Sequence, residues 1–212
     1  NPAAATGGGQ PTFRIADLTN PILTPWAAEQ MDKANDEVLK GKVAFTSKST
    51  CWPGGVPGVL LYGAEPMFFI QTPKEVWMLW EFDHQVRHVY LNQPHSAHPA
   101  PSWYGESIGH YEGDTLVVDT IGLNDKTMID NYRTPHTDKL HVVERFRLAD
   151  GGRTLEANVT IDDRGAFTMP WSAVQRWRRQ QGPLIEDACA ENIPDYFGFE
   201  TVPIPRAETP DF

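Results

Sequence analysis

Apolar residues recur at helical spacing in one stretch near the N-terminal end, where Ala27, Met31, Ala34 and Val38 share a face. Thr24 is a good N-cap, Pro25 suits the first helical position and Gly41 is a stop, which predicts a helix from about Pro25 to Lys40. Its expected role is an amphipathic helix docked on a larger body. Ser47 to Gly63 breaks the pattern with Cys51-Trp52-Pro53-Gly54-Gly55-Val56-Pro57-Gly58, a loop composition. Beyond it the pattern changes to short runs rich in aromatic and β-branched residues. Strands are predicted over Met67 to Thr72, Glu75 to Phe82, Gln85 to Leu91, Ser107 to Tyr111, Thr115 to Thr120, Leu140 to Leu148, Arg153 to Asp162 and Thr168 to Arg179. Asp83-His84, Glu112-Gly113-Asp114 and Asp150-Gly151-Gly152 read as the tight turns between neighbours. Asn92 to Ser102, Gly122 to Lys139 and the chain after Gln181 read as irregular.

About eight strands in mostly sequential hairpins favour a mainly β fold. The expected architecture is an antiparallel meander closing as a lipocalin-like or calycin-like barrel, with a sandwich as the alternative. One N-terminal helix and a long irregular C-terminal tail complete it. The expected organisation is a flexible leader over 1–22, a single barrel domain with its helix over 23–192, and a Pro-rich tail over 193–212 that wraps the barrel. A barrel of about eight strands can hold one small ligand.

Alternation assigns the strand faces. Leu140, Val142, Glu144, Phe146 and Leu148 share one face, which puts a carboxylate in an apolar row. His141, Val143, Arg145 and Arg147 share the other. Glu81 follows Trp77 and Leu79, Asp119 follows Thr115 and Val117, and Arg87 lies with Val89 and Leu91. A charge buried alone is costly, so these groups should meet partners. One account is an internal network of Arg87 and Arg145 with Glu81, Asp119 or Glu144 that sets strand register. The other is an acid/base pocket, in which desolvation makes a carboxylate more basic and a nearby Arg or His stabilises a developing anion.

Composition narrows the partners. The chain has 212 residues and a formal net charge of -10, from 18 Lys+Arg against 28 Asp+Glu. That balance argues against a nucleic-acid backbone, whose affinity comes from clustered cations. No apolar run approaches the roughly 18 residues of a membrane span. Seven Trp, 6 Tyr and 10 Phe exclude disorder and supply flat surfaces for a ligand. Asn1 to Pro11 is small, Gly-rich and polar, as a segment following signal-peptide cleavage would be; a trimmed boundary would look the same. Cys51 and Cys189 are either one long-range disulfide of an oxidising compartment or two unrelated buried thiols. His95-Ser96-Ala97-His98 has a generic spacing with no third ligand marked, so no metal is expected. Nucleotide, zincin and α/β-hydrolase signatures are missing from the sequence, and no cofactor is expected.

The run from Ser102 to Thr120, Ser-Trp-Tyr-Gly-Glu-Ser-Ile-Gly-His-Tyr-Glu-Gly-Asp-Thr-Leu-Val-Val-Asp-Thr, resembles a largely uncharacterised, mostly exported bacterial family with the pattern W-x-G-x-S-I-G-x-W-E-G-D-T-L-V-V-D-T. Leu23-Thr24-Pro25-Trp26, Ile70-Gln71-Thr72-Pro73, Leu140 to Phe146, Thr160 to Asp163, Pro170-Trp171 and Cys189 to Asn192 match it too. The resemblance implies an all-β, exported protein and no single activity. The family usually has Trp at Tyr111 and Pro at Arg164. Its short D-G-R-x-H-P loop is here Asn92 to Pro99, which leaves His95 and His98 both open as its counterpart.

The favoured function is a cofactor-independent acid/base enzyme, a lyase or isomerase acting on a small aromatic or apolar molecule inside the barrel. Candidate catalytic residues are His141, Glu144, Arg87, Glu81, Asp119 and His98. Candidate substrate-binding residues are Trp77, Trp80, Trp103, Tyr104, Tyr111, Arg145 and Trp171. The alternative is a lipocalin-like periplasmic carrier of an apolar ligand, and a structural β-domain without ligand is the third reading. The expected location is periplasmic or secreted, with no membrane insertion, and a homo-oligomer stays open.

Overall fold

A computed structural model describes residues 18–40, 47, 51–61, 66–130, 132–183, 185, 187 and 189. The expected leader before residue 18 and the expected wrap over 193–212 lie outside those residues. Helix α1 spans Pro25–Leu39 and begins where the capping signal places it. Thr24 Oγ1 accepts from the Ala27 N–H at 3.2 Å and donates to the Gly165 carbonyl at 2.8 Å. One side chain therefore caps the helix and ties it to the segment before the last strand. The helix buries Ala27, Met31 and Asn35.

Eight strands follow: β1 Met67–Gln71, β2 Glu75–Trp80, β3 Val86–Leu91, β4 Glu106–Glu112, β5 Thr115–Ile121, β6 His141–Ala149, β7 Thr154–Asp162 and β8 Trp171–Arg178. They form one sheet in sequence order. The sheet curls into a half-barrel. Phe69 of β1 meets Phe146 of β6 edge-on with ring centroids 5.8 Å apart, and Tyr111 of β4 donates its hydroxyl to Gln71 of β1. All neighbours are antiparallel except β3 and β4, which run parallel and pair only at Tyr90–Ile108 and Leu91–Gly109. The chain over 92–105 supplies the crossover that a parallel step requires. At this one place the expected hairpin meander becomes a mixed sheet.

Residues of alternating parity fill the inner face, as the apolar rows require. Val76, Met78, Val89, Val118, Val142 and Ile161 are all buried there. Ala27 of α1 and Val56, Val59 and Leu60 of the Gly/Pro-rich loop pack into the same cluster. The interior expected to hold a ligand is thus occupied by core side chains from the helix and the loop.

Cys51 and Cys189 are joined in a disulfide across 138 residues of sequence. Hydrogen bonds hold the same C-terminal segment. Glu81 Oε2 accepts from the Ile185 N–H at 3.0 Å, Asp83 Oδ1 accepts from the Cys189 N–H at 3.3 Å, and the Asp83 N–H donates to the Asp187 carbonyl at 2.9 Å. Glu81 follows β2 in a turn, buried, and anchors this strap. No described helix is long and apolar enough to cross a membrane.

His136 sits in the long loop between β5 and β6, 2 % exposed. Its Nδ1 faces the Thr137 carbonyl at 3.0 Å and its Nε2 the Thr127 hydroxyl at 2.9 Å, which together suit the neutral ring. Burial pushes its pKa below the ordinary imidazole value, against smaller opposing effects from Thr137, Asp163 and Asp125. A depressed pKa means that the unfolded chain takes the proton first. The contribution is complete above the unfolded value of about 6.5 and is lost as pH falls toward the folded one. Denaturant melts should therefore weaken between about pH 7 and pH 5. A His136→Gln variant should show a flatter dependence over that range. Equal slopes would refute the assignment.

Candidate acid/base site

Two polar clusters occupy opposite faces of the sheet. The inner one is built on Arg87 of β3, whose guanidinium binds both oxygens of Glu144 on β6, Nη1 to Oε1 at 3.0 Å and Nη2 to Oε2 at 2.5 Å. Arg87 Nε donates to Ser107 Oγ at 3.0 Å, and Nη2 donates to Thr120 Oγ1 at 2.7 Å. The side chains of Arg87 and Glu144 have no solvent exposure. Each strand from β3 to β6 contributes one member, so the cluster sets the register of four strands. Glu144 and Arg87 were candidates for catalysis; their burial and mutual neutralisation make them a structural pair, the first of the two accounts read from the strand faces.

The outer face carries the second cluster. The Glu112–Thr115 pairing at the β4–β5 turn puts Ile108 opposite Asp119 and Glu106 opposite Ile121. Glu106 and Asp119 are therefore diagonal neighbours on one face. Two carboxylates so placed repel, and His95 enters from the crossover loop between them. Its Nδ1 lies 3.0 Å from Glu106 Oε1 and its Nε2 lies 2.9 Å from Asp119 Oδ1. The same Asp119 oxygen lies 2.9 Å from Nε2 of His141 on β6. The result is an unbroken chain, Glu106–His95–Asp119–His141, ending at a side chain that is 41 % exposed. Glu106 Oε1 also accepts from the Ser96 N–H at 2.7 Å. Hydrogen bonds from Ser96, side chain first and backbone next, hold its carboxyl below the usual range, with His95 adding to them against desolvation. Among the described residues no group of three or more His, Cys, Asp or Glu is arranged to hold a metal ion.

Glu106 also lines a cleft. Because β3 and β4 pair at only two positions, the strands part before that contact. Val86 to His88 then face Tyr104 to Ser107 across a space of about 450 Å³, within the usual range for a small-molecule site. Tyr90 and Ala100 close it. Gly105 makes the turn into β4 at φ +61°, and a Cβ there would lie 2.4 Å from the Ile121 carbonyl oxygen. That backbone sets Tyr104 and Glu106 on the cleft wall. The Tyr104 hydroxyl donates to Gln85, and its ring stacks on Trp80 at 6.4 Å.

The other expected residues are spread out. His98 is exposed, and it is His95 that bonds within the site. Trp77 is on the outer face, its ring 3.8 Å from that of His88. Trp80 is in the core, and Trp171 packs on Phe167 at 5.5 Å. Trp103 packs on Trp52 at 5.2 Å beneath Lys126. Tyr111 belongs to the inner face at its open end, and Arg145 pairs with Glu112 on the outside. The cleft unites only Tyr104 and Arg87 from the expected set, and the outer chain unites Asp119 and His141. Glu106, His88 and Tyr90 were not singled out as site residues, and His95 was left open beside His98. The hairpin turn gives the signal for Glu106, since counting back from Gly113 puts it on the face of Asp119.

Comparison with family models, with curated proteins and with solved structures gives no match. The resemblance to an exported bacterial family rests on the motif residues themselves.

Proposed function

We propose that this protein is a cofactor-independent acid/base enzyme of the lyase or isomerase class, exported to the periplasm or beyond, acting on a small aromatic or apolar molecule in the outer cleft. The observation that carries this reading is the double position of Glu106, a wall of the cleft and the first link of the chain to His141. Glu106 takes a proton from substrate carbon. His95 accepts it at Nδ1 while releasing its Nε2 proton toward Asp119, and His141 exchanges it with solvent. The same relay run backwards returns a proton to another carbon or to a leaving group. Proton transfer at carbon is redox-neutral and needs no electron carrier. A carrier could use the cleft but would gain nothing from a relay; the three linked hydrogen bonds favour the enzyme.

Proton abstraction can be read before any product is known. Small aryl carbonyl compounds, amino-substituted ones included, are incubated with the protein in D2O and C–H exchange is followed by NMR. At least one should exchange faster than in buffer. Glu106→Gln and His95→Ala should each slow that exchange by about 10²–10⁴-fold with the fold intact. Exchange no faster than buffer for every compound, or unaffected by both substitutions, would overturn the reading.

A further inference from the structure

We infer that the cleft selects a small aromatic ring carrying a protonated amine. This rests on the cleft of the proposed site but not on its proton chemistry. Two tyrosine rings reach the walls: Tyr90, 39 % exposed, and Tyr104. His88 lies between β3's two ends and continues into Trp77 on the same face, so a flat ring meets aromatic surface on entry. The electron-rich faces of such rings attract a cation.

Charge points the same way. Arg87 is beside the cleft but its guanidinium is fully buried and bound at both ends by Glu144, so it offers no uncompensated positive charge to a ligand. Glu106 is the one other formally charged residue of the lining. Its Oε1 accepts from the Ser96 N–H and lies 3.0 Å from His95 Nδ1, and an ionised carboxylate keeps acceptor capacity at Oε2. The whole protein, at -10, repels an anion before it arrives. An ammonium on an aromatic ring satisfies both features at once, through a charge-assisted bond to Glu106 and contact with Tyr90 and Tyr104.

The test compares benzylammonium, benzyl alcohol and benzoate, which share a ring and differ in charge. Each is titrated at low salt, with affinity from chemical-shift changes and the site located by the Tyr90, Tyr104 and His88 signals. Benzylammonium should bind at least about 10-fold more tightly than benzyl alcohol, and benzoate more weakly still. Glu106→Gln should bring the ammonium and the alcohol to within about 3-fold of each other. Tyr90→Leu, which keeps the charge, should weaken the cation and the alcohol together. Equal binding of benzoate, a preference that survives Glu106→Gln, or no saturable binding of the cation would overturn the inference. In the unsubstituted protein, D2O exchange no faster than in buffer together with saturable cation binding would overturn the enzyme reading and leave this one standing.

Discussion

Glu144→Ala is expected to destabilise the fold by about 3–5 kcal/mol. The substitution leaves the guanidinium of Arg87 with no counter-charge in a site that solvent does not reach. Ser107 and Thr120 still accept its hydrogen bonds, but hydroxyls do not neutralise it. The lost Coulombic partner and the unmet desolvation cost then act together, which is why breaking one half of a buried pair is worse than never having it. The double variant Arg87→Met/Glu144→Leu removes both charges and should recover most of the loss. Urea melts of the two singles and the double measure this. A single variant losing under about 1 kcal/mol would show that water or another group already compensates the pair.

The second large effect belongs to the disulfide. Cross-linking Cys51 to Cys189 closes a loop of 138 residues, and the chain-entropy estimate for such a loop is about 5 kcal/mol. Measured values fall at or below the estimate, so reduction, or Cys51→Ser with Cys189→Ser, should cost about 2–5 kcal/mol. At about 2–4 °C per kcal/mol the melting midpoint should fall by about 5–20 °C. The bonds from Ile185 and Cys189 to Glu81 and Asp83 are too few to hold the segment alone, so it should also become sensitive to protease near residue 185. Unchanged melting after thiol counting confirms full reduction would contradict the role assigned to this link.

The strand limits were legible because alternation and turn chemistry are local. The expected Glu75 to Phe82 and Arg153 to Asp162 become Glu75–Trp80 and Thr154–Asp162, and the helix capped by Thr24 spans Pro25–Leu39. The parallel step was not legible, since β3 alternates in the same way whichever direction its neighbour runs. Glu144 in an apolar row was legible as a charge needing a partner. That the partner is Arg87, rather than Glu144 serving as a base, required the inner face to close over both.

The outer site divides in the same way. Asp119 and His141 stood out as polar positions on ordered strands. His95 could not be told from His98 in a loop with no repeating period, and only the crossover between parallel strands brings it between Glu106 and Asp119. The cleft exists because β3 and β4 stand apart before their two paired positions, a property of neither strand alone.

By itself, then, the sequence determined the mainly β class, the strand faces, the capped helix and the set of charges that had to be paired. The tertiary structure decided which charges pair, which cysteine reading holds and on which face a ligand could meet a proton relay. The reason is physical: the side-chain period belongs to a single strand, whereas a bond such as Arg87 to Glu144 spans 57 residues and forms only when the whole sheet has found its order.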